Sequence, residues 1–215
     1  MLDSSTESFC GDEAKRGLRR HVAVGVAWAT AAIWGQYIIQ LAVFLILGRL
    51  LGPEAYGIMA MALIVTASCQ VLIIDGGWHE ALIARARLDA AHCDSVFWCV
   101  SGMGGGMGAL VALAAPAVAW SLHAPEVGRL LPVLALTLPL AGITIVPRAL
   151  LHRALRFGAV ALAAWLALCA AGGVGVCMAL AGAGAWSLVG FQLTEAIVAL
   201  VVIAAAARWR PGGRL

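Results

Sequence analysis

The amino-acid sequence predicts an all-α, polytopic membrane protein built as a bundle of six transmembrane helices, and three observations carry that prediction. The 215-residue chain is 63% hydrophobic and only 12% charged, whereas a water-soluble domain carries about 25% charged residues. One core of this size cannot hide so much apolar surface, so lipid must solvate the excess. The apolar residues fall into six runs, each close to or above the roughly 20 residues that cross a bilayer as a helix. The basic residues then gather in alternate connectors. Period-two alternation is absent, which argues against a barrel. The same composition argues against a soluble enzyme, a nucleic-acid binder or a disordered chain.

Residues 1–20 form a polar, mixed-charge segment. They are not a secretory signal, because the apolar run that follows exceeds a signal core of about 7–15 residues. The six-span region covers residues 21–210. Its first span runs over about 22–47 and stops at Gly48-Arg49. The second covers about 56–75 and stops at Asp75-Gly76-Gly77, a sequence that favours a left-handed helix end. The third, about 96–120, carries two small-xxx-small pairs, Gly102/Gly106 and Gly104/Gly108, a spacing that lets helix backbones approach closely in lipid. Gly106 is therefore expected at a helix contact. The fourth, about 130–150, contains Pro132, Pro139 and Pro147 and should be kinked or broken, since each proline removes a backbone donor. The fifth, about 158–181, repeats the small-residue spacing with Ala171 and Gly175. The sixth covers about 186–207, and residues 211–215 form a short tail that is expected to be truncated.

Lys15, Arg16, Arg19 and Arg20 precede the first span, Arg85 and Arg87 follow the second, Arg148, Arg153 and Arg156 follow the fourth, and Arg208, Arg210 and Arg214 follow the sixth. These are twelve of the fourteen basic residues, and only Arg49 and Arg129 lie on the other side. The positive-inside rule places both termini in the cytoplasm, with Gly52–Ala55 and Pro125–Arg129 outside.

Several polar residues interrupt the apolar runs. Gln36 and Gln40 share one face of the first span at i and i+4. Gln70 and Asp75 lie near the inner end of the second. Gln192 and Glu195 sit midway along the sixth. A carboxylate at mid-membrane costs at least about 2.5–3.5 kcal/mol, so Glu195 should face protein or a water-filled cavity. Glu195 and Asp75 are the coupling-ion candidates. Arg148, His152, Arg153 and Arg156 cluster at the inner end of the fourth span, where guanidinium groups suit a bidentate grip on phosphate. The pair Arg153/Arg156, at i and i+3, is expected to hold the phosphate while Arg148 anchors the helix. The six cysteines form no CxxC pair and no zinc-site spacing, and no Walker A, GxSxG or HExxH pattern occurs. No catalytic residue, metal site or cofactor is expected.

Four segments together resemble a known family. They are Gly48-Arg49-Leu50-Leu51-Gly52-Pro53-Glu54-Ala55-Tyr56-Gly57; Asp75-Gly76-Gly77 followed by Ala81-Leu82-Ile83; Arg148-Ala149-Leu150-Leu151-His152-Arg153-Ala154-Leu155-Arg156-Phe157; and Gly182-Ala183-Gly184-Ala185-Trp186-Ser187-Leu188-Val189. In order and spacing they resemble the oligosaccharide flippases of the polysaccharide transporter family. Ala55 departs from the pattern, since the family commonly has an acidic residue there. The resemblance implies one six-helix lobe, the N-terminal one, of a two-lobe flippase in a bacterial-type cytoplasmic (inner) membrane. It implies a polyprenyl-pyrophosphate-linked oligosaccharide as substrate, the bilayer as surroundings, and a second lobe or another copy as partner. Arg148, Arg153, Arg156, Gln36, Gln40 and Gln192 are then the substrate-binding candidates. The alternatives are a cation-coupled drug or small-solute exporter of the same superfamily, or a non-transporting membrane subunit.

Overall fold

The computed structural model describes residues 4–74, 90–154 and 156–207, which are helical apart from short turns. Six helical elements follow in chain order: α1 (Ser4–Ile74), α2 (Ala90–Ser121), α3 (Pro125–Leu134), α4 (Thr137–Arg153), α5 (Phe157–Leu180) and α6 (Trp186–Ala207). No strand occurs among the described residues. The fold is all-α, but among the described residues five helical stretches are long and apolar enough to cross a membrane, rather than the six that the sequence predicts. The first, Trp34–Val71, is 38 residues long and merges the first two predicted spans.

That merged stretch is not straight. Gly52 interrupts α1 with φ 76° and ψ 172°, a conformation open essentially to glycine alone. Pro53 reinforces the break, because it lacks an N–H and pushes the residue before it out of the helical region. Beyond the break the chain folds back. Residues 44 and 56 would lie about 18 Å apart along a continuous helix, yet the Tyr56 hydroxyl donates to the Phe44 carbonyl at 3.0 Å and their rings meet edge-on at 4.9 Å. α1 therefore forms a hairpin of two arms turning at Gly52. At 1.5 Å per residue its apolar stretch is about twice the hydrocarbon thickness of roughly 30 Å, enough for two crossings.

The fourth predicted span is broken, as its prolines imply. α3 and α4 meet at Ala135–Leu136. Pro139 has no N–H for the Ala135 carbonyl, which accepts instead from Leu138 N at 3.1 Å, while Leu136 N reaches Val133 O at 3.2 Å. Short i→i+3 bonds thus replace α-helical ones across the joint.

Against this broken helix α2 packs backbone to backbone. A Cβ on Gly104 would lie 2.8 Å from the Leu138 carbonyl, one on Gly108 would lie 2.9 Å from that of Ala135, and one on Gly142 of α4 would lie 2.8 Å from that of Val100. Glycine at these positions permits a crossing that no larger residue allows. Gly106, by contrast, has nothing within 4 Å and is exposed, as is Gly102. The expectation for Gly106 is corrected: the pair Gly104/Gly108 carries the contact. Gly102 and Gly106 lie two residues away in phase, and two residues rotate a helix by about 200°.

α5 and α6 form a tight hairpin with Gly182 and Gly184 both at positive φ. Ala183 N bonds to Met178 O at 3.0 Å, closing the end of α5. The first arm of α1 lies along α5, where Val43 meets Gly172 and Leu47 meets Gly175. The buried core runs through the middle of the bundle, with Leu47, Met59, Val100, Leu131, Leu138 and Val146 among its residues. Large apolar side chains face outward, including Leu113 (81% exposed) and Trp120 (84%). A soluble monomer rarely shows such surfaces; a lipid-solvated bundle requires them.

Candidate functional site

α4 turns one face inward. Thr137, Ala141, Thr144, Ile145 and Arg148 follow at i, i+4, i+7, i+8 and i+11, so they form a single stripe along the helix. α6 presents Gln192, Glu195, Ala196 and Ala199 in the same manner. Between the two stripes, with Gln70 from the second arm of α1, lies a cavity of about 320 Å³. The small residues Ala141, Ala196 and Ala199 leave the space open, and the longer polar residues project into it.

The hydroxyls at the wall are already committed as donors. Thr144 Oγ1 donates to Leu140 O at 2.6 Å, and Thr137 Oγ1 donates to Leu134 O at 2.7 Å. Each can then only accept from a ligand, since a hydroxyl carries one proton. Gln70 Nε2 already uses this, donating to Thr137 Oγ1 at 3.2 Å. Arg148 supplies the fixed positive charge of the cavity and Glu195 the carboxylate. Glu195 is ten residues into a 22-residue helix, about 14 Å from its start, so it sits near the middle of that apolar helix. Inside an apolar bundle such a side chain faces protein or a water-filled cavity. No group of three or more metal-ligating side chains occurs among the described residues.

The sequence candidates divide. Arg148, Gln192 and Glu195 are brought together at the cavity. Arg153 lies on the exposed surface beyond it, five residues and about 140° round the helix from Arg148. Arg156 donates from Nη1 to the Ala206 carbonyl at 3.0 Å, which places it beside the last described turn of α6, where a cation favours the carbonyl end of a helix. Gln36 is half-buried and Gln40 exposed on the first arm of α1, and neither lines the cavity. Asp75 falls outside the described residues. Thr137 and Thr144 escaped the sequence reading. Their spacing from Arg148, eleven and four residues, was the available signal, but single threonines in apolar helices usually bond to their own backbone.

Comparison with known proteins adds the following. The family model described as "Polysaccharide biosynthesis protein" matches residues 46–215. The succinoglycan biosynthesis transport protein ExoT of Rhizobium meliloti (strain 1021) is 29% identical over 190 residues, an alignment covering 88% of this chain and 38% of the relative. The chain thus spans less than half the length of that relative. No solved structure matches it.

Proposed function

Because the chain belongs to the polysaccharide biosynthesis protein family, which its match over residues 46–215 establishes, we propose that it serves polysaccharide export. In this reading it translocates a polyprenyl-pyrophosphate-linked oligosaccharide, alone or as the N-terminal part of a longer flippase, and performs transport rather than catalysis. The observation that carries the reading is the placement of Arg148 at a polar cavity walled by otherwise apolar helices. A sugar offers hydroxyls in quantity, and Gln70, Gln192 and Thr144 supply amide and hydroxyl partners for them. The pyrophosphate is anionic, and Arg148 offers a guanidinium whose fork matches phosphate oxygens. The lipid tail stays in the bilayer. Alternating access moves the cavity between the two faces of the membrane.

Arg148 rather than Arg153 or Arg156 is assigned the phosphate, since Arg156 is engaged with Ala206 and Arg153 lies off the cavity face. Glu195 is assigned the coupling ion, because a carboxylate facing a wet cavity can take up and release a cation or proton as access alternates. The protein lies in a bacterial cytoplasmic membrane with both termini inside, as its basic residues direct.

The test is export by the full-length protein in cells lacking their own transporter for the same sugar. Arg148→Gln should cut export at least tenfold at normal expression, since a hydrogen bond to a charged group is worth about 1.5–3 kcal/mol. Undiminished export by Arg148→Gln would remove the phosphate contact from this cavity.

A further inference from the structure

The joint between α3 and α4 interrupts the α-helical bonding of the backbone beside the cavity. Pro139 deprives it of a donor, and beside the α-type bond from Ala135 N to Leu131 O at 2.8 Å its bonds are the i→i+3 ones at Leu136 and Leu138. Thr137 is the first residue of α4 and Leu134 the last of α3, and the Thr137 hydroxyl links them by donating to the Leu134 carbonyl. That same oxygen accepts from Gln70 Nε2 at 3.2 Å. Gln70 belongs to neither helix; it comes from the second arm of α1, 67 residues earlier in the chain. A donor on the oxygen polarises the hydroxyl and strengthens its own donation. The three groups therefore form a chain from α1, through the first turn of α4, to the end of α3. Gln70 and Thr137 also line the cavity.

We propose that Gln70 and Thr137 form a latch that holds the α3–α4 joint at its present bend, and that a polar ligand in the cavity releases the joint by taking the Gln70 amide. Released, α3 swings relative to α4 about Ala135–Leu136. The swing carries the close crossing with α2 along with it, since Gly104 and Gly108 pack against the carbonyls of Leu138 and Ala135 at the joint. The latch itself does not depend on the function proposed above; its use in transport does.

The distance between nitroxide labels at positions 126 and 154, on the outer turn of α3 and just past α4, reports the bend. It is measured by pulsed electron resonance on the cysteine-free chain in lipid nanodiscs without substrate. Loss of one neutral hydrogen bond changes the ratio of two conformers about fivefold. Gln70→Leu and Thr137→Val should therefore each populate the same second distance about fivefold more. The double variant should go no further than either single one, and Thr137→Ser, which keeps the hydroxyl, should restore the parent distribution. Should Thr137→Val not fold, Gln70→Leu decides alone. Unchanged distances in Gln70→Leu overturn the latch. So does a change confined to Thr137→Val, which would mark a local cap with no link to α1. Export by the full-length protein is read separately. If the distances shift as expected while export needs neither Arg148 nor Gln70, the latch stands and the assignment of substrate to this cavity falls.

Discussion

At the scale of single residues, the question is which arginine meets substrate. Arg148 and Arg153 are five positions apart on α4, and only one faces the cavity. We expect Arg153→Gln to export at least half as well as the parent under conditions where Arg148→Gln falls tenfold, and sugar-export assays on matched membrane amounts decide between them. Arg148→Lys separates charge from shape. If the planar fork matters, lysine recovers insertion but not transport, and full recovery would mean that a point charge suffices. The cluster from Arg148 to Arg156 was legible in the sequence as a basic group at the end of a span. Its division of labour was not, because helical phase becomes meaningful only once the partner face is known. Thr137, Thr144 and Arg148 form a stripe because α6 lies opposite them, and α6 is some forty residues away in the chain. The same holds for Arg156. Its partner is a backbone carbonyl fifty residues on, and a carbonyl leaves no trace in a side-chain pattern. Gln36 and Gln40 illustrate the converse: they share a face, but that face is not the cavity's.

At the scale of helices, glycine position decides packing. Gly104→Ala sets a methyl 2.8 Å from a backbone carbonyl that belongs to a helix and cannot step aside. Overpacking of this kind costs about 1–3 kcal/mol, so the midpoint of thermal unfolding in detergent should fall by several degrees. Gly106→Ala adds its methyl to open space and should leave the midpoint unchanged. Equal effects from the two would mean that α2 is rotated from the phase described here. The sequence offered two equivalent small-xxx-small pairs on α2, and nothing local chooses between them. The choice comes from Leu138 and Ala135, whose carbonyls lie against Gly104 and Gly108 of α2. The broken span itself was readable, since a missing N–H is a property of proline alone. So was the turn at Gly52-Pro53, where the helical apolar pattern runs on but the backbone cannot. Gly52→Ala would place a side chain at φ 76°, a strain of about 1–3 kcal/mol. It should loosen the contact between Tyr56 and Phe44, seen as a shift in tyrosine fluorescence or in cross-linking between cysteines at 44 and 56.

For the whole molecule, the arrangement of ends makes a prediction about sidedness. The turns at Leu122–Ala124 and at Gly182–Ala185 alternate along the chain with the turn between α4 and α5 and with the end of α6. The bond from Arg156 to Ala206 brings the α4–α5 turn and the end of α6 to one side. That side carries Arg153 and Arg156, and the other carries Glu54 and Glu126 with Arg49 and Arg129. Retention of arginine on the cytoplasmic face outweighs the influence of acidic residues, so position 154 should lie inside and positions 54 and 126 outside. Single cysteines at 54, 126 and 154 on a cysteine-free background, treated with a membrane-impermeant maleimide in spheroplasts, read this directly. Positions 54 and 126 should label in intact spheroplasts, and 154 only after permeabilisation. The reverse pattern would invert the molecule and put the Arg148 end of the cavity outside. Labelling of 54 and 154 from the same side would be more damaging still. It would mean that α1 does not return across the membrane at Gly52, and the packing of Leu47 and Met59 into one core with Val146 would have no place in the bilayer.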